Sequence, residues 1–210
     1  MDREIGNKAF PIWLLGDSNP ERWEKRLTSP FDPRHPIRHN IWTSVLDVIQ
    51  DKVYRDFRLR MNSSDIYIRN AVDDSNIKPG GNSLMWSTDL GSEISKLRTL
   101  MKENQPQFIL SFGAFSYEFG RRTLGEEPTR NFDYWGAVEL GNEFSKRMGK
   151  FNLGRVNLLP LLHRSIAGGY FLSAHRDFCQ QEGANYFDYV GEKIAEQLLK
   201  HRLELPIWII

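Results

Sequence analysis

The chain has 210 residues, with 28 basic and 27 acidic side chains. This length suits one domain of ordinary size, and we expect a single domain over residues 1–210. The balanced charge gives no support to a strongly basic nucleic-acid binder, although a local basic patch is sufficient for binding. The single cysteine, Cys179, excludes an intramolecular disulfide and leaves too few thiolates for a cysteine zinc site or an iron–sulfur cluster.

The sequence also predicts the cellular location of the protein. The first residues, MDREIGNKAF, are charged, and nowhere do about 18 apolar residues run together, so we expect neither a signal peptide nor a membrane partner. A single cysteine makes a reducing, cytoplasmic location the simplest inference. No metal and no cofactor are expected, because His35 and His39 are spaced i,i+4 in a segment that Pro33 and Pro36 predict to be a loop.

Strands and helices alternate along the chain. Apolar, β-rich runs predict strands over residues 10–15, 66–72, 108–112 and 156–162, with LPIWII at the C-terminus as an edge strand. Apolar residues at helical spacing predict helices over residues 41–57, 114–124, 137–148 and 186–198, and another from the Ser87 cap to Pro106. Four alternations predict an α/β fold whose mostly parallel sheet is covered on both faces. Oligomeric state stays open, because an apolar edge strand can also pair with a partner.

Polar residues follow three of the predicted strands directly. The run RVNLLPLLHRSIAGG (155–169) is apolar until His163, and GDSNP (16–20) and RNAVDD (69–74) likewise follow apolar runs. Ligands of open α/β sheets bind outside the carboxyl ends of the strands. We therefore expect these three strand ends to meet in one site.

The order of the segments resembles that of the uracil-DNA glycosylase superfamily. The segments are GDSNP, IYIRNAV, FILSFGAFSYEFG, LLPLLHRSIAGG and FLSAHRDF, and the resemblance covers roughly residues 10 to 200. It implies a three-layer α/β/α fold with a short parallel sheet and a site at the strand ends. The implied function is base excision repair, in which a hydrolase cleaves the N-glycosidic bond of a flipped-out uracil or other damaged base in DNA.

The first motif of that family is a Gly followed closely by Asp or Asn and then by Pro. Because GDSNP holds one residue more than the commonest form between Gly16 and Pro20, either Asp17 or Asn19 stands in the water-activating place. Asn70 is similar to the Asn with which the uracil-specific members read the base edge. The same residues have structural interpretations, since Asn19 before a Pro is typical of a helix N-cap and Asn70 of a strand-end turn.

The last motif of the family is His-Pro-Ser or a relative of it. Here Arg164 replaces the Pro between His163 and Ser165, which adds a positive charge where DNA phosphate would lie. The resemblance makes His163 a catalytic residue beside Asp17 or Asn19. The substrate-binding residues that it implies are Gly16, Ser18, Phe31, Asn70, Arg164 and Ser165.

The chemistry of base release requires residues of these types. Cleavage builds positive charge on the sugar and negative charge on the departing base. Asp17 or Asn19 would hold water, and His163 would donate to the leaving base, a contribution worth about 3 kcal/mol per donor in an oxyanion hole. The Asn70 amide has both an acceptor and a donor, which complement the carbonyl and N–H edge of a pyrimidine. Phe31 would stack on the extruded base, unless it belongs to the core.

Further basic residues fall where phosphate contacts would need them. His175 lies near the predicted start of a helix, where it would contact phosphate or solvent. The arginines in or near the loops that would ring the site are Arg26, Arg34, Arg38, Arg121, Arg122 and Arg164.

Two other functions fit parts of the sequence. The chain could be a catalytically inactive module of the same fold that binds nucleic acid or a nucleotide, given the altered His motif. GDSN also resembles the nucleophile block of the lipase and esterase family named for its Ser, Gly, Asn and His, with Ser18 attacking an ester. That mechanism needs an oriented His, usually in an Asp-x-x-His block, which this sequence lacks.

Overall fold

The structure is a computed structural model that describes residues 4–18, 42–80, 83–163 and 170–209. The strands are β1 (Glu4–Ile5), β2 (Ile12–Gly16), β3 (Arg60–Met61), β4 (Tyr67–Asn70), β5 (Phe108–Phe112), β6 (Asn157–Leu161) and β7 (Trp208–Ile209). The helices are α1 (Thr43–Phe57), α2 (Thr88–Asn104), α3 (Ala114–Thr123), α4 (Ala137–Met148), α5 (Tyr170–Cys179) and α6 (Tyr186–Lys200). Short 3₁₀ helices span Ser63–Asp65, Ser75–Ile77 and Phe132–Tyr134.

The central sheet has five strands in the order β1–β4–β2–β5–β6. Its last four members are parallel, and β1 pairs antiparallel with β4 at one edge. The chain leaves β2 toward β4 on one side, whereas it leaves β5 toward β6 on the other side. The carboxyl ends of β2 and β5 therefore flank the switch point at which open α/β sheets form their ligand crevice.

Helices cover both faces of this sheet, which confirms the predicted three-layer α/β/α fold. In one layer α1 packs against α6, and in the other α2 packs against α3. The second layer lies close to the sheet, since a Cβ at Gly120 of α3 would come within 2.8 Å of the Leu158 side chain of β6. Among the described residues, none of the helices combines the length and apolarity needed to cross a bilayer.

The C-terminal strand does not join the central sheet, contrary to the expectation that LPIWII forms its edge. Trp208 pairs with Met61 instead, in a separate two-stranded antiparallel sheet of β3 and β7. The Asn62 N–H extends this ladder by donating to the Ile207 carbonyl oxygen at 2.7 Å. The physical reason is the packing of α6 on α1, because β3 follows α1 and β7 follows α6.

Helices α4 and α5 meet through their backbones beside β6. A Cβ added at Gly141 of α4 would overlap the carbonyl oxygen of Phe178 in α5. Only glycine permits this separation, since any larger residue at position 141 would have to push the two helices apart.

His175 lies in the core rather than at a phosphate. It is 7% exposed, and its ring stacks on Tyr186 at 4.7 Å and meets the edge of Phe187 at 5.2 Å. Burial among these rings lowers the pKa of His175 to about 4. The expectation of a phosphate or solvent contact is therefore wrong, because α5 turns this position toward α6.

We predict that His175 makes the protein lose stability on acidification. The unfolded chain takes up this proton near pH 6.5 and the folded chain only near pH 4, so the free energy of unfolding falls as the pH drops through that interval. The loss attributable to His175 is roughly 3 kcal/mol at most. Urea unfolding should show a weaker pH dependence in His175→Phe than in the parent protein over this range. Identical pH dependence in the two proteins would contradict the prediction.

Candidate functional site

The end of β2 lies directly beside the end of β4. Gly16 is in register with Asn70, and the Ala71 N–H donates to the Gly16 carbonyl oxygen at 2.8 Å. A Cβ at Gly16 would collide with Oδ1 of Asn70 and would lie 3.6 Å from the ring of Trp42. The Asn70 side chain therefore lies over the bare backbone of β2.

The ends of β5 and β6 have the same arrangement. Gly113 follows β5 with a φ of +91°, and its N–H donates to the Leu161 carbonyl oxygen at 2.8 Å. A Cβ at Gly113 would lie 2.7 Å from Cβ of His163, which is partly exposed. His163 therefore lies over the backbone that follows β5, as Asn70 lies over β2.

Together these contacts form what we call the strand-end site: Gly16, Asp17, Asn70, Gly113 and His163. Each outer parallel strand sends a polar side chain inward over a glycine of its central neighbour. Gly16 ends β2 and Gly113 directly follows β5, and adjacent strands lie about 4.8 Å apart in a sheet. The site thus coincides with the switch point between β2 and β5, and it brings Asn70 and His163 to the same end of the sheet.

Aromatic side chains border this end of the sheet. The ring of Trp42, which precedes α1, lies 6.0 Å from that of Phe112, the last residue of β5. Phe115 lies in the first turn of α3, on the opposite side of the sheet. Trp42, Phe112 and Phe115 are all buried, so the hydrophobic core extends to this end of the sheet.

The carboxylate of Asp17 is held by a lysine that sequence reasoning missed. Lys78 Nζ lies 2.8 Å from Asp17 Oδ1, and both side chains are about a quarter exposed, at 29% and 23%. The same ammonium lies 5.4 Å from the ring centroid of Phe115. Lys78 thus connects the end of β2 with the start of α3. The position of Lys78 in the loop after β4 could have suggested a role at the site. Its pairing with Asp17, 61 positions away, could not have been read from the sequence.

Buried groups fix the backbone on both sides of the site. The Arg69 side chain is 6% exposed, and its Nε donates to the Asn70 carbonyl oxygen at 3.1 Å. The Leu162 N–H donates to the hydroxyl of Tyr186 in α6 at 2.8 Å, immediately before His163. Burial raises the pKa of Tyr186, so its hydroxyl stays protonated. Asn70 and His163 are thus each positioned by the residue next to them in the chain.

The structure describes part of the predicted site. It brings Gly16, Asp17, Asn70 and His163 to one end of the sheet, with Ser18 following Asp17 and partly exposed. Within the described residues Ser18 forms no hydrogen bond to a histidine, so the contact that an esterase needs is not made there. The other predicted site residues lie outside the described residues, namely Asn19, Phe31, Arg164 and Ser165.

Two of the arginines expected around the site are engaged elsewhere. Arg121 and Arg122 lie in the last turn of α3, and both bind the fully buried carboxylate of Glu118, at 2.8 and 3.0 Å. Because α3 begins at the strand-end site and runs away from it, its last turn lies at the other end of the sheet. The prediction that Arg121 and Arg122 ring the site is therefore wrong. Arg26, Arg34 and Arg38 lie outside the described residues.

Neither a protein-family model nor a curated protein matches the sequence.

We predict that Gly16→Ala destabilises the protein by about 1–3 kcal/mol, because the new Cβ overlaps the Asn70 side chain in a packed region. The matched control is Gly91→Ala in α2, where a Cβ meets open space and should stabilise the helix by about 0.5–1 kcal/mol. Urea unfolding measures both changes. Shifts of equal sign and size in the two variants would show that the close approach at Gly16 does not matter.

We also predict that Tyr186→Phe costs about 1–3 kcal/mol, because it leaves the buried Leu162 N–H without its acceptor. Tyr189→Phe is the control in the same helix, since its hydroxyl makes only an exposed contact with Ser145. That variant should stay within about 0.5 kcal/mol of the parent protein. Equal unfolding midpoints for the two variants would refute the role assigned to Tyr186.

Proposed function

We propose that the chain is a DNA glycosylase-like hydrolase that cleaves the N-glycosidic bond of a flipped-out uracil or other damaged base in DNA repair. One observation supports the proposal most directly: Asn70 and His163 lie over Gly16 and Gly113 at the switch point of the sheet, with Asp17 beside them. Enzymes that act on a base must take it out of the stack and read its edge with their side chains.

In this proposal Asn70 selects the base. Its amide presents one acceptor and two donors, and a pyrimidine such as uracil offers a carbonyl and an N–H on its edge. The Arg69 hydrogen bond to the Asn70 carbonyl holds the backbone from which the amide projects. A fixed amide discriminates between bases, because a mismatched edge leaves buried polar groups unpaired.

His163 and Asp17 act on the two charges that develop as the bond breaks. His163 donates a hydrogen bond to the oxygen of the departing base, which becomes negative. Asp17 favours the positive sugar and positions the attacking water. Lys78 occupies Oδ1 of Asp17, and within the described residues no hydrogen bond uses the second carboxylate oxygen. That oxygen is the one we assign to water.

DNA is the partner in this proposal, and the cytoplasm is the proposed location. The only cysteine, Cys179, is a free buried thiol, as suits a reducing compartment.

A second candidate is a module that binds a base or nucleotide without cleaving it. The ion pair with Lys78 favours this alternative, because it neutralises the carboxylate that would otherwise stabilise the sugar cation. The two candidates differ in turnover and not in binding.

We predict that the purified protein releases free base from oligonucleotides containing uracil or hypoxanthine, measured by chromatography and mass spectrometry of the supernatant. His163→Ala should reduce the rate by about 10²-fold or more, as for the loss of an oxyanion-hole donor. Asn70→Ala should also lower the rate, because the base edge loses its hydrogen bonds. His201→Ala is the control and should retain full activity. His201 follows α6, and it contacts Glu204 and Phe151 rather than any residue of the strand-end site.

Release that is equal in the parent protein and His163→Ala would remove His163 from the mechanism. DNA binding without release from any of these substrates would favour the second candidate. Hydrolysis of a p-nitrophenyl ester that disappears in Ser18→Ala would instead support an esterase.

A further inference from the structure

An amine lies beside the carboxylate that we assign to the sugar. Lys78 Nζ is 2.8 Å from Asp17 Oδ1, and it contacts the face of Phe115 at 5.4 Å from the ring centroid. If Asp17 holds water at the sugar carbon that carries the base, Lys78 is the amine that lies beside this carboxylate. Lysine amines form Schiff bases with carbonyl substrates.

We propose that Lys78 attacks C1′ of the abasic sugar that remains after base removal, and that the resulting imine leads to cleavage of the DNA strand. This inference rests on the proposed function, because that function places the sugar beside Asp17. It adds an activity, since base release alone leaves the strand intact.

The first step joins the amine to the sugar. Once the base has left, the sugar opens to an aldehyde at C1′. Only a neutral amine can attack, and Asp17 is the acceptor within hydrogen-bond distance for the proton of the Lys78 ammonium. The nitrogen then bonds to C1′, and the carbonyl oxygen takes up one proton from the nitrogen and one returned by Asp17. Water leaves as the C1′–O bond breaks. The product is a protonated imine between Lys78 and the sugar.

The second step breaks the strand without any oxidant or reductant. A carboxylate such as Asp17 removes a proton from C2′, whose acidity the imine raises. The electron pair moves to the C2′–C3′ bond and expels the 3′-phosphate as the C3′–O bond breaks. Water then hydrolyses the imine, which regenerates the Lys78 amine and releases an unsaturated aldehyde at the end of the strand.

Other lysines of the described chain are placed differently. Lys8, Lys52, Lys96 and Lys146 each pair with a carboxylate three or four positions away on their own segment. Lys78, in contrast, pairs with Asp17, which belongs to the strand-end site. This placement, rather than the presence of an amine, makes Lys78 the candidate nucleophile.

The test uses an oligonucleotide that carries a preformed abasic site, so that it does not depend on base release. Sodium borohydride reduces an imine to a stable amine, and a covalent protein–DNA adduct is then visible on a denaturing gel. We expect an adduct with the parent protein and strand cleavage when borohydride is omitted. Lys78→Arg should lose both, because a guanidinium forms no such imine but can still pair with Asp17. Peptide mapping of the adduct should identify residue 78.

Two controls keep the result interpretable. Lys102→Arg replaces an exposed lysine near the end of α2, at the opposite end of the sheet, and should leave the adduct yield unchanged. Thermal unfolding checks that Lys78→Arg is folded. An undiminished adduct in folded Lys78→Arg, or no adduct with the parent protein, would overturn the inference.

Base release from uracil-containing DNA is measured separately. Release without any adduct would overturn the role of Lys78 and leave the proposed function standing. An adduct that depends on Lys78, without release of any base, would support the imine and count against the proposed function.

Discussion

The absence of a side chain at two positions is the constraint on which the candidate site depends. Gly16 ends β2 and Gly113 directly follows β5, and a Cβ at either position would occupy space that Asn70 or His163 fills. In a parallel sheet, side chains at the carboxyl ends of neighbouring strands normally stand beside one another. Here the central strands contribute only backbone, so the outer strands can send polar groups over them. The two glycines therefore leave the space that the polar side chains at this end of the sheet occupy.

The described charged residues at this edge of the sheet include one compensated ion pair. Asp17 and Lys78 compensate each other there, whereas Arg121 and Arg122 are committed to Glu118 within α3. A paired carboxylate is a weaker stabiliser of a cationic sugar than a free one, but it sits beside an amine that can take part in chemistry. The roles proposed for Asp17 and for Lys78 therefore both depend on this ion pair.

Local patterns in the sequence predict the strands and helices well. They do not predict which distant residues pair with each other. The predicted ranges 108–112 and 137–148 coincide with β5 and α4, because apolar runs and helical spacing are local signals. The Ser87 cap of α2 was equally legible, since its side chain accepts from the Leu90 N–H. No local pattern predicts the pairing of β3 with β7 or the burial of His175, because both depend on how α6 packs. Lys78 was missed for the same reason, as no sequence pattern links it to Asp17.

The backbone contact between α4 and α5 has a consequence for how this protein can change. Helix α5 starts seven residues after His163, and Gly141 sets how closely α4 approaches it. A larger residue at 141 would therefore shift the segment to which the His163 loop is anchored, without touching any polar group. Differences between future variants need not map to the strand ends, since a single added methyl group on a remote helix can shift the same edge of the sheet.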